Sequence, residues 1–271
     1  MKIKKYFKRI LKVVKLDEME ILPGDLAFYF IFIIIPAVSF IGLISNILDI
    51  NFNNYYINNN IPNAVLSLIN GINNYNNINV FAFIILSLYL ASRGTKAIII
   101  SSNMLFKIRE TNELKIRVKA IIIVLVLFIL ISFIIIVPLL GDIFIKYITS
   151  YFNETGNVVI NNIYHLLKYP ISISLMFILI KILYVMSSSI EIESKYMNHG
   201  AIFTTFMWII LSRLYSIYLN NFNNYNLYFG SMSSILILLV WVYLLSYIFV
   251  IGLALNADNY LISIKQSDKK L

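Results

Sequence analysis

Three observations in the sequence predict an all-α membrane fold: a polytopic bundle of six transmembrane helices with an amphipathic interfacial helix at its N-terminus. Apolar residues make up 60% of the 271 and charged residues only 13%, against about 45–50% and about 25% in ordinary globular chains. The mean hydropathy is +0.82, more apolar surface than a water-soluble core would bury, so lipid is the expected solvent. Apolar runs of about 20 residues recur, each long enough as a helix to cross a ~30 Å hydrocarbon layer. Lys and Arg collect on alternate sides of those runs, the arrangement that orients membrane proteins. Residues 1–271 read as a single transmembrane domain with spans at about 26–48, 80–97, 120–140, 170–186, 201–219 and 234–255.

The N-terminal MKIKKYFKRILKVVKL puts Ile3, Phe7, Ile10, Leu11 and Val14 at helical spacing, with Lys4, Lys5, Lys8, Arg9, Lys12 and Lys15 filling most of the remainder. A basic amphipathic helix of this kind suits the headgroup plane. A disordered basic tail that fixes orientation is the alternative. No short apolar core with a small-residue cleavage site follows, so the segment does not read as a signal peptide. Gly24 and Asp25 open the first span, an acid placed to suit a helix dipole. Pro36, near its middle, removes a helical hydrogen bond and predicts a kink.

Asn51–Asn79 holds thirteen asparagines and no Lys or Arg; it reads as an outer loop with a short interfacial helix at Ile61–Ile69. The second span ends in SRGTK, where Arg93 and Lys96 can snorkel to the inner surface. Lys107, Arg109, Lys115, Arg117 and Lys119 follow, so 101–119 reads as a cytoplasmic helical elbow. The third span carries Pro138 near its outer end, and 141–169 is an outer loop with Lys146 and Lys168. Lys181 lies in the fourth span, and Glu191, Glu193 and Lys195 in a short inner loop. Spans five and six form a hairpin across NNFNNYNLYFGSMS (Asn220–Ser233), with Arg213 inside span five. Tyr218, Tyr225, Tyr228 and Tyr243 suit an interfacial belt, and Trp208 and Trp241 suit packing or interface anchors.

The basic residues settle the expected orientation. Seven lie in the N-terminal segment, seven in the second loop with its flanks, one in the fourth loop and three in the C-terminal segment, against two in all the outer loops. Both termini are therefore expected in the cytoplasm. The net charge of +9 then points to anionic lipid headgroups as partners and not to nucleic acid.

Particular residues resemble those of a known family. The run Gly24, Asp25, Leu26, Ala27, Phe28, Tyr29 to Pro36, then Ser92, Arg93, Gly94, Asn103 and Arg109, is similar to the YihY/BrkB-like integral membrane proteins, once labelled ribonuclease BN. The last hairpin carries the fullest match, in Gly200–Ala201, Trp208, Tyr218, Phe222, Tyr225, Tyr228, Gly230–Ser231, Trp241, Gly252 and Asn256. His199 stands where that family usually has Pro, and the fourth loop has fewer basic residues than the family pattern. The resemblance implies a six-span bacterial inner-membrane protein, and the ribonuclease label counts as a misassignment within that family.

The residues form no catalytic set. His165 and His199 are expected on opposite sides of the membrane. Glu191, Glu193 and His199 would either gather a cation or stand in a solvated loop. There is no cysteine, which removes thiolate chemistry. GxxxxGK[ST], HExxH and EF-hand patterns are missing. Neither a cofactor nor an enzymatic activity is expected.

Cations within spans are the stronger lead. A charge at the bilayer centre costs about 2.5–3.5 kcal/mol on insertion scales, so it normally faces a bundle interior or a water-filled cavity. Lys181 and Arg213 are the two, and the Arg fork suits phosphate or carboxylate. Either they snorkel and bind backbone carbonyls, or they face an anion-binding cavity. Arg93, Lys96 and Arg109 would gather the anion, or hold lipid headgroups, at its cytoplasmic mouth. The expected function is transport or handling of an anionic lipid or small anion. A membrane-bound hydrolase and a non-catalytic scaffold using the basic elbow are the alternatives.

Overall fold

The computed structural model describes residues 9–30, 77–109, 112–127, 154–221 and 232–267. Every regular element among the described residues is helical. Helix α1 covers residues 9–14 and α2 covers 18–30. Helix α3 is Asn77–Phe106, α4 is 113–127 and α5 is Glu154–Ser187. A 3-10 turn, Ser194–Met197, leads into α6, Asn198–Asn221; α7 is Met232–Ser267. The expectations for Pro36, Pro138, the loop over 51–76 and the turn at 222–231 fall outside the described residues.

The helices overrun the apolar runs that announced them. Helix α2 passes straight through Pro23, Gly24 and Asp25, so Gly24 opens nothing and Asp25 is a mid-helix side chain. Glycine marks a break only where positive φ is needed, and Gly24 takes none. Helix α3 continues beyond the expected end at Ala97, to Phe106, because cationic side chains such as Arg93 and Lys96 do not interrupt backbone bonding. It ends in a Schellman motif: Lys107 sits at φ 57, its amide bonds Met104 O at 3.1 Å, and the Ile108 amide bonds Asn103 O at 2.8 Å. Asn112 Oδ1 accepts from the Lys115 amide at 3.1 Å and so caps α4. Helix α5 begins at Glu154, inside the expected outer loop, and carries Pro170 within it.

Three stretches among the described residues are long and apolar enough to cross a membrane: Pro170–Ser187, Ser194–Tyr218 and Leu236–Gln266. They coincide with the expected spans at 170–186, 201–219 and 234–255.

Contacts divide the chain into two compact units. One comprises Met1–Pro36, Phe83–Val124 and Ile180–Leu271, the other Ala37–Ala82 and Leu125–Leu179. In the second unit the described backbone (77–82, 125–127 and 154–179) is wholly helical.

The first unit is held by polar bonds and close backbone approach. Lipid removes the usual hydrophobic drive between helices, so small residues and interhelical hydrogen bonds carry the association. Tyr184 of α5 is fully buried; its hydroxyl donates to Phe249 O at 2.8 Å and lies 2.7 Å from Thr204 Oγ1, and its ring centroid is 4.7 Å from that of Phe249. With its one proton given to Phe249, the Tyr184 oxygen accepts from Thr204. Gly200 of α6 meets Gly252 of α7 so closely that a Cβ at either would lie within 2.1 Å of a neighbouring oxygen. Asn256 Oδ1 accepts from the Gly200 amide at 2.7 Å. Trp208 Nε1 donates to Leu245 O at 2.9 Å.

Longer-range bonds complete the unit. Asn103 pairs with Ser189 twice, donating to its hydroxyl at 2.7 Å and accepting from its amide at 3.0 Å. Ser246 Oγ of α7 donates to Pro23 O of α2 at 2.8 Å. Arg9 of α1 donates to Asp258 at 2.5 and 2.9 Å and to Asn259 at 2.8 Å.

Candidate functional site

Three helices of the first unit line an open cavity of about 590 Å³, with Asp25, Arg93 and Arg117 exposed at its mouth, a size within the ~300–1,000 Å³ of small-molecule sites. Helix α2 contributes Glu18, Leu22, Asp25 and Tyr29, whose spacing places them on one helical face. Helix α3 contributes Tyr89, Arg93, Lys96, Ile100 and Met104 on the same principle, and α4 adds Arg117 and Ile121. Thr95 Oγ1 donates to Ala120 O at 2.8 Å and fixes the α3–α4 wall.

The charged groups of the lining are held differently. The Arg93 guanidinium stands 5.4 Å from the Tyr89 ring centroid, a cation–π contact. Lys96 Nζ lies 2.6 Å from a carboxylate oxygen of Glu113, at the start of α4. The hydrogen bond from Lys96, and then its charge, hold the Glu113 carboxyl below its ordinary pKa. Glu18, Asp25, Arg93 and Arg117 make no ion pair among the described residues. The same lining includes large apolar side chains left in the open: Ile21 is 65% exposed, and Met104 and Ile121 each 51%.

The expected site residues divide in two. Arg93 and Lys96 meet in this cavity. Arg109 is exposed in the turn beyond α3, Lys181 is half-buried on α5 and Arg213 is exposed on α6; none of the three lines it. Arg213 shares its helix face with Phe206, Ile210, Leu214 and Ile217, all exposed, and that face is turned away from the packed neighbours. Lys181 and Arg213 therefore stand outside this cavity. Arg117, Glu18, Asp25, Tyr29 and Tyr89 are the lining residues that sequence reasoning missed. The spacing 18–22–25–29 was the available signal.

His199 is exposed in the first turn of α6, and Glu191 and Glu193 are exposed ahead of it. Among the described residues no group of three or more His, Asp or Glu side chains is placed to hold a metal ion.

The apolar helices and their polar cross-bonds define a membrane protein. The chain belongs to the virulence factor BrkB family, whose sequence model matches residues 10–268. It is similar to the ribonuclease-like protein YfkH of Bacillus subtilis (strain 168), with 25% identity over 260 residues that cover 93% of this chain and 94% of that protein. No solved structure matches it.

Proposed function

We propose that this protein binds an amphiphile through its anionic group in the cavity between α2, α3 and α4, and transports or handles it in a bacterial inner membrane. One observation carries the reading. Arg93 and Arg117 line a cavity without an ion-pair partner among the described residues, beside exposed Ile21, Met104 and Ile121. Guanidinium groups bind phosphate or carboxylate oxygens in two-pronged fashion, and the apolar side chains receive the hydrocarbon part. The distribution of Lys and Arg supports six spans with both termini cytoplasmic, which puts this cavity near the inner leaflet, where anionic headgroups concentrate. The reading assigns the protein no catalytic step. The ribonuclease-like name of YfkH raises a hydrolase instead, and RNA cleavage by the purified protein would favour it.

The test is native mass spectrometry of protein extracted gently from its own membrane. A phospholipid adduct, held through its phosphate, is expected on the parent chain and on the Lys181→Met, Arg213→Met variant, and is expected to be lost from the Arg93→Gln, Arg117→Gln variant. An adduct that survives loss of both cavity arginines overturns the reading.

A further inference from the structure

We infer that the amphiphile carries an ammonium group beside its phosphate, and that Glu18 and Asp25 of α2 receive that ammonium while Arg93 and Arg117 receive the phosphate. This rests on the anion-binding reading of the same cavity and adds the headgroup class. Charges of opposite sign line one cavity from different helices: the acids belong to α2, the guanidinium groups to α3 and α4. The ion pairs among the described residues are Arg9–Asp258, Lys96–Glu113 and Lys195–Glu193, and none joins the α2 acids to those arginines.

Such an arrangement discriminates. A purely anionic guest drawn to Arg93 and Arg117 also meets two carboxylates, and like-charge approach is disfavoured. A cationic guest meets the arginines. A dipolar headgroup places each charge against its complement and meets neither penalty. Glu18 and Asp25 stand seven residues apart, two helical turns or about 10.5 Å along α2. An ammonium on a flexible headgroup can therefore reach one acid or the other while its phosphate stays with the guanidinium groups. A cavity of about 590 Å³ accommodates a headgroup and the first part of its tails. Exposed Ile21, Met104 and Ile121 continue the apolar track for the rest.

The experiment compares three lipids that share one phosphodiester: phosphatidylethanolamine, phosphatidylglycerol, which has no ammonium, and N-acetyl phosphatidylethanolamine, whose amine is blocked as an amide. Full-length protein in detergent is titrated with each, and bound lipid is counted by native mass spectrometry. Phosphatidylethanolamine is expected to bind roughly tenfold or more tighter than the other two. The Glu18→Gln, Asp25→Asn variant is expected to bind all three alike, and Glu18→Asp with Asp25→Glu to restore the preference.

Equal binding of the three lipids by the parent chain overturns the inference, and does so even where the Gln/Asn variant fails to fold. If that equal binding still disappears in Arg93→Gln, Arg117→Gln, the anion-binding reading stands without the ammonium. If it persists there, both fall together.

Discussion

Asn256 Oδ1 lies 2.7 Å from the backbone nitrogen of Gly200, so a side chain of α7 closes the first turn of α6. The approach depends on the missing side chain: a Cβ on Gly200 would sit 2.0 Å from Gly252 O and 2.5 Å from Asn256 Nδ2. At Gly252 it would sit 2.1 Å from Thr204 Oγ1 and 2.4 Å from the Tyr184 hydroxyl oxygen. Two glycines and one amide side chain thus set the α6–α7 separation together.

Gly200→Ala and Gly252→Ala are expected to destabilise the protein by about 1–3 kcal/mol each, the usual cost of overpacking. At Gly200 the obstacle is a backbone carbonyl, which cannot rotate away. Gly24→Ala is the control. Nothing lies within 4 Å of that position, and a helix-interior Gly→Ala change gains roughly 0.5–1 kcal/mol. Thermal unfolding in one detergent ranks the three, and a Gly200→Ala protein as stable as its parent would contradict the close approach.

Loss of the Asn256 acceptor should cost more than loss of the Tyr184 hydroxyl. Asn256→Leu strands the Gly200 amide in the packed seam, at about 1–3 kcal/mol. Tyr184→Phe removes a hydrogen bond to Phe249 O that a helix carbonyl can spare and the acceptor of Thr204, whose hydroxyl can turn to a carbonyl of its own helix, at about 0.5–1.5 kcal/mol. The same unfolding assay decides the order.

Lys107 holds the left-handed position that ends α3, at φ 57. Glycine takes that conformation without the steric cost of about 1–2 kcal/mol that an L side chain meets. Lys107→Gly is therefore expected to raise the melting temperature. An unchanged or lower value would mean that the Lys107 charge outweighs the strain.

The Lys96–Glu113 pair should make stability depend on pH in one direction. The folded-state pKa of Glu113 lies below its ordinary value of 4.5. Its contribution is therefore fully present above pH 4.5 and is lost as pH falls through the depressed folded value. The difference in melting temperature between the parent and Glu113→Gln should shrink as pH is lowered through that window. Both groups are partly or largely in solvent, at 26% and 69% exposure, so salt should reduce the effect as well.

The chain contains no cysteine, so single-cysteine variants report the proposed topology without background. A membrane-impermeant maleimide is expected to label Asn220→Cys on intact cells and Lys195→Cys only after permeabilisation. Labelling of both from outside would break the six-span arrangement.

The helical class was legible because hydropathy and basic-residue distribution are properties of local sequence. The spans at 170–186, 201–219 and 234–255 needed nothing more. Element ends were less legible: Arg93 and Lys96 looked like the exit of a span, yet α3 runs on to Phe106. The cavity was legible only in part. Arg93 and Lys96 were singled out for their charge, whereas Asp25 was read as a helix opener and Arg117 only as an orientation signal. The meeting of α2, α3 and α4 depends on packing that no local window contains. Arg213 shows the same limit from the other side. The energetic cost of a charge within a span says that its surroundings matter, but not which face of the helix carries it.

The bond from Arg9 to Asp258 spans 249 residues, and the one from Ser246 to Pro23 spans 223. During synthesis Arg9 and Pro23 leave the ribosome long before either partner exists. Helices α1 and α2 are therefore made with these bonds still unformed, and their polar groups rely on other partners in the interval. Arrival of α7 supplies both partners at once. Assembly thus has a late step: a nascent chain stopped before residue 246 lacks both of the bonds by which α7 fastens α1 and α2.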